Sequence, residues 1–207
     1  IISKEYRLVN LKNIKKYTPG FNIHDIQKKY NLKEVIKLAS NENPFISKDV
    51  LSFIKKSNHK LNLYPDSNPD ELHKSLANTV GHRMTSNNII LGNGSNEILE
   101  FIVRANVDNK SEVIIPKYSF LVYEIISKLQ NAKIIITKPD NDKASENYLG
   151  INLESIKEKI TNKTKLIFIA NPANPTGTYI KLSEIDNFLQ LVPKKTSVII
   201  DEAYYEY

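Results

Sequence analysis

The chain has 207 residues, of which 41% are apolar and 25% are charged, and its formal net charge is +6. This composition is ordinary for a globular protein with one sizeable domain, and no apolar run is long enough to span a membrane. Cysteine is absent, which excludes disulfides and thiolate metal sites, and the four histidines lack the spacing of metal ligands, so we expect no metal site. We attribute the positive charge to a lysine-rich composition rather than to nucleic-acid binding.

The first third of the chain predicts little regular structure. We expect residues 1–66 to form a polar N-terminal arm with a lead-in helix, and residues 67–207 to form the main domain. Pro19-Gly20 and Asn43-Pro44 interrupt the arm, because both dipeptides favour turns. The chain opens on isoleucine without a basic and apolar leader, so we expect neither a native start here nor secretion.

Two helices are predicted before the first apolar run at residue 88. Residues 47–57 favour a short helix. Residues 66–69 predict a turn that leads into a second helix, capped near Asn68 or Asp70.

Five short apolar runs follow, rich in β-branched residues and mostly continuous rather than alternating. Such runs are typical of strands in a sheet that is covered on both faces. The runs are 88–92, 112–116, 133–137, 165–171 and 197–203.

Most of these runs are separated by segments with helical spacing of apolar residues. The segments are 96–106, 119–129, 153–160 and one that follows a predicted N-cap at Ser183. Strand and helix alternation predicts an α/β fold, with a mostly parallel sheet covered by helices.

The unusual polar clusters of the sequence each follow a predicted strand. They are Gly92-Asn93-Gly94-Ser95-Asn96-Glu97, Pro116-Lys117-Tyr118, the asparagine- and proline-rich stretch 171–177, and Asp201-Glu202-Ala203-Tyr204. In an open parallel sheet, ligands bind beyond the carboxyl ends of the strands. The clusters therefore predict a ligand site at one edge of the sheet.

Two of these clusters allow a ligand role and a structural one. The Gly-x-Gly-Ser-Asn stretch opens a helix, whose free N–H groups suit a phosphate, although an ordinary turn capped by Ser95 explains it as well. Tyr118 follows a proline and could stack on a planar ligand, or simply fill space at the rim.

The other two clusters are more restrictive. The two Asn-Pro steps within 171–177 predict a rigid loop that can hold an amide side chain in one orientation, and a simple turn between strand and helix is the alternative that they make less favourable. Asp201 ends a strand that is predicted to be buried, where a carboxylate is costly unless it is paired or hydrogen-bonded. A metal or a protonated heterocyclic nitrogen of a cofactor could be that partner. A metal partner for this aspartate, as in nucleoside triphosphatases, would require an upstream phosphate-binding loop of the pattern G-x-x-x-x-G-K-[ST]. No glycine of this chain begins that pattern.

Six motifs together carry a resemblance. They are KLASNENP at 37–44, YPD at 64–66, GNGSNEI at 92–98, PKYSFLVY at 116–123, NPANPTG at 171–177 and IIDEAYYEY at 199–207, with Tyr17-Thr18-Pro19-Gly20 before them. In this order they resemble the pyridoxal-phosphate-dependent class II aminotransferases of fold type I, in particular the histidinol-phosphate aminotransferases. The resemblance covers nearly the whole chain, and it makes residues 67–207 part of the cofactor-binding large domain.

The resemblance implies a role for each motif residue. The backbone of Gly94, Ser95 and Asn96 would hold the phosphate of pyridoxal 5'-phosphate. Tyr118 would stack on the pyridine ring, Asn174 and Tyr204 would contact its phenolic oxygen, and Asp201 would keep its nitrogen protonated. Three of these residues, Asp201, Tyr204 and Asn174, are then catalytic. Tyr64 would reach the cofactor phosphate of the neighbouring subunit, and Tyr17 and Asn43 would bind substrate.

The resemblance also implies an activity. The intact parent would transfer an amino group from L-glutamate to imidazole-acetol phosphate, giving L-histidinol phosphate in histidine biosynthesis, as a cytoplasmic homodimer without nucleic-acid or membrane partners. Aromatic amino acid aminotransferases and threonine-phosphate decarboxylases share the motifs, and a non-catalytic binding protein with the same fold is a third reading.

One departure from the family pattern matters for activity. The Schiff-base lysine in its Ser-Lys motif and the substrate-binding arginine would both lie beyond residue 207, as would two strands that border strand 88–92. We therefore expect an N-terminal portion of an aminotransferase that is inactive by itself.

Overall fold

The structure is a computed structural model that describes residue 14 and residues 16–17, 20–57 and 62–207. The predictions made for Thr18 and Pro19 lie outside the described residues. The chain divides into two compact units, one of Thr18–Ile90 and one that joins Ile1–Tyr17 to Leu91–Tyr207. The boundary at residue 66 stays a prediction.

The unit of Thr18–Ile90 is built from short helices. They are α1 (Ile23–Tyr30), α2 (Lys48–Ser57), α3 (Asp70–Val80) and a 3₁₀ helix (Ser86–Asn88). The helix predicted at 47–57 is thus confirmed as α2, whereas α1 lies in a segment for which no helix was predicted. Its cap is local, because the Asn22 side chain accepts the N–H of His24 at 2.9 Å.

Helix α3 is confirmed, but its predicted cap is wrong. Pro69 occupies the N-cap position and no side chain caps the helix. The Asn68 amide instead donates to the Asp70 carboxylate at 2.9 Å, and the Asn68 N–H donates to Asp66 at 3.0 Å. Both asparagine donors are therefore used to shape the turn before the helix.

The larger unit alternates helices and strands. Its elements in chain order are α4 (Ser95–Asn106), β1 (Glu112–Pro116), α5 (Leu121–Leu129), β2 (Lys133–Thr137), α6 (Leu153–Lys157), β3 (Thr164–Ala170), α7 (Leu182–Leu191) and β4 (Ser197–Asp201). The strands form a parallel sheet in the order β2-β1-β3-β4. The predicted α/β class, the parallel sheet and the last four strands are confirmed.

Each face of the sheet has its own apolar core, which explains the continuous apolar runs. Neighbouring residues of a strand point to opposite faces. One core contains Val113, Ile115, Leu166 and Phe168 of the strands with residues of α4 and α5. The other contains Ile114, Ile167 and Ile169 with residues of α6 and α7.

The predicted strand at 88–92 is wrong. Ser86–Asn88 form the 3₁₀ helix, the following residues have no regular structure, and Ile90 is 74% exposed. A strand requires a hydrogen-bonded neighbour. None of the described strands pairs with this segment.

The predicted cap of α7 at Ser183 is also wrong, because the helix already begins at Leu182. Lys181 is the N-cap residue, and the Glu184 carboxylate accepts its backbone N–H at 3.2 Å. This glutamate at the third helical position satisfies a donor that the helix itself cannot pair.

A buried carboxylate stands at the amino end of the sheet. Glu112, at the start of β1, is 4% exposed. It accepts the Thr161 hydroxyl at 2.5 Å and the Lys133 ammonium at 2.9 Å. The hydrogen bond from Thr161, followed by that from Lys133, lowers the pKa of Glu112 despite its burial.

Across the described residues, no helix combines the length and the apolar character that a membrane crossing would require.

Candidate active site

The start of α4 presents backbone donors at the carboxyl edge of the sheet. Gly94 occupies the N-cap position with φ 76° and ψ 173°, a conformation that favours glycine, and no side chain caps the helix. The Glu97 carboxylate turns back to accept the N–H and the side-chain amide of Asn93, at 2.7 and 3.0 Å. The N–H groups of the first turn thus remain uncapped by side chains next to Ser95 and Asn96.

The loop after β3 uses its two asparagines differently. The Asn171 side chain accepts the N–H of Ile180 at 2.8 Å and donates to the carbonyl of Ile180 at 3.0 Å, so it fixes the loop to the segment before α7. Asn174 lies between the two proline residues and lines a cavity instead. The first asparagine is therefore structural, which leaves the second free to contact a ligand.

Asp201 is the last residue of β4, and it is adjacent to Ala170 of β3 in the sheet register. The prediction that this strand is buried is wrong, because β4 is the last strand of the sheet order and its residues are only partly buried or exposed. Its carboxylate accepts two hydrogen bonds, the Tyr123 hydroxyl at 2.6 Å and the N–H of Ala203 at 3.2 Å. These bonds involve different oxygens, Oδ2 and Oδ1. The carboxylate is thus held in a defined orientation at the carboxyl edge of the sheet.

One cavity of about 80 Å³ connects these elements. The residues that line it are Ser95, Asn96, Phe120, Tyr123, Ala170, Pro172, Asn174, Asp201, Ala203 and Tyr204. A neighbouring depression of about 280 Å³ shares Ser95, Asp201 and Ala203 with it and is otherwise lined mainly by isoleucines and leucine of α4 and β4. The structure thus brings together five predicted site residues, which are Ser95, Asn96, Asn174, Asp201 and Tyr204, and places Gly94 directly before them.

Besides Gly94, two predicted site residues of the same unit lie outside this lining. Tyr118 is 38% exposed, and the Lys117 ammonium lies 5.3 Å from the centre of its ring. Tyr17 contacts the ring of Phe120 edge to face, with 6.3 Å between the centroids. The roles predicted for both tyrosines stay predictions.

The two remaining predicted residues belong to the unit of Thr18–Ile90. Tyr64 is 99% exposed, and the Asn43 side chain accepts the N–H of Phe45 at 2.9 Å. Their roles, which involve a second subunit and the substrate, also stay predictions.

Sequence reasoning missed Phe120 and Tyr123, which line the cavity from α5 and its N-cap position. The ring of Tyr123 is fully buried and stacks on Phe168, with centroids 4.5 Å apart and planes 4° apart. Burial, followed by the hydrogen bond to Asp201, raises the pKa of the Tyr123 hydroxyl, which keeps it a proton donor. A tyrosine on the apolar stripe of the helix after β1 was the available signal.

The fold and the cavity define an α/β protein with a cavity at the carboxyl edge of its parallel sheet. The family model for aminotransferases of class I and II matches residues 33–207. The chain therefore belongs to the class I and II aminotransferase family.

Curated relatives are similar over nearly the whole chain. Histidinol-phosphate aminotransferase 1 of Idiomarina loihiensis is 40% identical over 205 residues, which are 97% of this chain and 53% of the relative. Histidinol-phosphate aminotransferase 2 of Carboxydothermus hydrogenoformans is 38% identical over 200 residues, which are 95% of this chain and 52% of the relative. The chain thus spans about half the length of the curated relatives it matches.

Solved structures agree on the fold. Histidinol-phosphate aminotransferase from Sinorhizobium meliloti, in complex with pyridoxal-5'-phosphate, matches 100% of this chain and 52% of its own, with a TM-score of 0.81 and 22% identity. The enzyme of the same name from Clostridium acetobutylicum matches 81% of this chain and 46% of its own, with a TM-score of 0.67 and 31% identity. This fold is the fold type I expected from the sequence motifs.

Proposed function

We propose that this chain forms the cofactor-binding part of a histidinol-phosphate aminotransferase. The reaction is the transfer of an amino group between L-glutamate and imidazole-acetol phosphate, which gives L-histidinol phosphate in histidine biosynthesis. The observation that carries the proposal is the gathering of Ser95, Asn96, Asn174 and Asp201 on one cavity. The names of the curated relatives support the substrate.

The donor set of the cavity fits pyridoxal 5'-phosphate. The uncapped N–H groups at the start of α4 suit its phosphate, because a helix N-terminus favours an anion. The Asn174 amide suits its phenolic oxygen, and the Asp201 carboxylate suits its pyridine nitrogen. When bound, the cofactor supplies an electron sink for the bond changes at the α-carbon of the substrate.

The residues of this chain hold the cofactor and orient its ring. Asp201 keeps a proton on the pyridine nitrogen, since a carboxylate beside a basic nitrogen favours its charged form. Asn174 and Tyr204 hold the phenolic oxygen, and Tyr118 covers the ring. This division of work gives each predicted motif residue of the larger unit one task.

Substrate and subunit contacts complete the proposal. Tyr17 and Asn43 contact the substrate, and Tyr64 contacts the cofactor phosphate of a second subunit in a homodimer. We place this activity in the cytoplasm.

None of the described residues that line the cavity is a lysine. In a polypeptide as long as the relatives, the Schiff-base lysine and the substrate-binding arginine would come from the segment that corresponds to their other half.

The test is to express the full-length gene product and measure its substrate preference. We expect pyridoxal 5'-phosphate to co-purify with it, and kcat/KM for L-histidinol phosphate with 2-oxoglutarate to exceed that for L-phenylalanine at least tenfold, about 1.4 kcal/mol in transition-state binding. An equal or reversed preference would contradict the substrate. Absence of bound or bindable cofactor would contradict the class of reaction.

A further inference from the structure

Tyr123 joins the hydrophobic core to the cavity. Its ring lies in the core between α5 and the sheet, stacked on Phe168 of β3, and is fully buried. Its hydroxyl nevertheless reaches Asp201 at 2.6 Å, across 78 positions of the chain. A phenylalanine would fill the same volume, so packing alone does not account for the hydroxyl group.

The hydrogen bond restricts the Asp201 carboxylate. Tyr123 occupies Oδ2 and the N–H of Ala203 occupies Oδ1, which fixes the carboxylate plane from two sides. An ionised carboxylate offers about four acceptor positions, so each oxygen keeps capacity for a ligand. Both Tyr123 and Asp201 line the cavity, which leaves that capacity next to the bound group.

The donor itself has little freedom to move. The stack on Phe168 and the edge-to-face contact with Phe120, at 5.9 Å between centroids, hold the ring from two directions. A donor fixed in this way orients its acceptor without a change in the donor's own position.

We propose that Tyr123 is a positioning residue, which orients the Asp201 carboxylate toward the pyridine nitrogen of the cofactor. The inference rests on the proposed function, because it assigns Asp201 to that nitrogen. It adds a residue from the core of the protein to the set that controls cofactor binding.

A double-mutant cycle in the full-length gene product tests this inference. The variants are Tyr123→Phe, Asp201→Ala and the double variant, with Tyr148→Phe as control for the loss of a tyrosine hydroxyl outside the cavity lining. The dissociation constant of pyridoxal 5'-phosphate is measured by equilibrium dialysis, and stability by urea denaturation. If Asp201→Ala does not fold, Asp201→Asn takes its place.

We expect Tyr123→Phe to raise the dissociation constant about tenfold, as for one hydrogen bond to a charged group. In the Asp201→Ala background it should change the constant less than about twofold, and in the Asp201→Asn background about threefold at most, because the acceptor is then absent or neutral. Tyr148→Phe should leave the constant unchanged.

Two results overturn the inference alone. One is an equal effect of Tyr123→Phe with and without the Asp201 carboxylate, since Tyr123 would then act independently. The other is a loss of stability with an unchanged dissociation constant, which a purely structural role would give. If the unaltered protein does not bind pyridoxal 5'-phosphate, the proposed function fails and the inference falls with it.

Discussion

The buried carboxylate of Glu112 gives a stability prediction that depends on pH. We expect Glu112→Gln to lower the free energy of unfolding at pH 7. The side chain is 4% exposed and accepts hydrogen bonds from Thr161 and from Lys133, whose own side chain is 69% exposed. A hydrogen bond to a charged group contributes about 1.5–3 kcal/mol, and an exposed ion-pair partner about 0–1 kcal/mol. Glutamine keeps a neutral acceptor for Thr161, so the expected loss is about 1–2 kcal/mol.

The sign of the pH dependence follows from the direction of the pKa shift. The pKa of Glu112 is lowered in the folded protein, so the unfolded chain binds the proton more tightly. The contribution of the carboxylate is therefore complete above its unfolded pKa, about 4.3, and is lost as the pH falls through the lower folded value. The difference between the two proteins should narrow below about pH 4.3.

The assay is urea denaturation of both full-length proteins at pH 7 and at a series of acidic pH values. Glu154→Gln is the matched control, because Glu154 pairs with Lys157 on the surface with 73% of its side chain exposed. It should change the free energy of unfolding by less than about 0.5 kcal/mol. The reasoning is refuted if both variants lose the same amount, or if the Glu112→Gln difference stays constant as the pH falls.

Three further variants probe the core and the cavity. Phe168→Ala should lower the free energy of unfolding by about 3–5 kcal/mol, because Phe168 is fully buried, whereas Phe101→Ala at a 46% exposed position should lower it by under about 1 kcal/mol. Similar losses for both variants in urea denaturation would contradict the described packing of Phe168. Gly94→Ala places a side chain at φ 76°, which costs about 1–3 kcal/mol of backbone strain, so equilibrium dialysis should show weaker binding of pyridoxal 5'-phosphate but not of pyridoxal. An equal loss of affinity for both compounds would exclude a phosphate at this turn. Asp201→Asn should lower kcat on the order of 100-fold with little change in KM, whereas Asp186→Asn, at an exposed position of α7, should leave kcat unchanged. An active Asp201→Asn variant would remove Asp201 from its proposed role.

The parts of the fold that the sequence predicted are those with a strong local signal. Strands β1 and β3 are buried over most of their length, whereas β2 and β4 are only partly buried, and all four have the β-branched runs that predict a strand. The run at 88–92 has the same composition, but a strand also needs a pairing neighbour, which composition does not reveal. The predicted caps near Asn68 or Asp70 and at Ser183 were wrong for a related reason, because a cap depends on local contacts that composition does not reveal. The start of α3 has no side-chain cap, and at the start of α7 the Glu184 carboxylate accepts the N–H of Lys181.

The candidate site divides in the same way. Residues at a strand end or in the loop that follows it, such as Asp201 and Asn174, reach the predicted edge because the backbone of a parallel sheet carries them there. Tyr123 reaches it through the packing of α5 on β3, which joins positions far apart in sequence. Its apolar neighbours made it look like an ordinary core residue, and only the contact with Asp201 distinguishes it.

The stacked pair of Tyr123 and Phe168 has an evolutionary consequence. The proposed role of Tyr123 sets two requirements at position 123, a ring that fills the core beside Phe168 and a hydroxyl within reach of Asp201. An aliphatic residue at position 123 would meet neither requirement. Such a substitution would be tolerated only if position 168 changed in the same lineage and another hydrogen-bond donor to Asp201 arose nearby. Substitutions at positions 123 and 168 should therefore be correlated among descendants of a common ancestor. This correlation is expected even though neither position belongs to the loops that follow the strands and form the cavity.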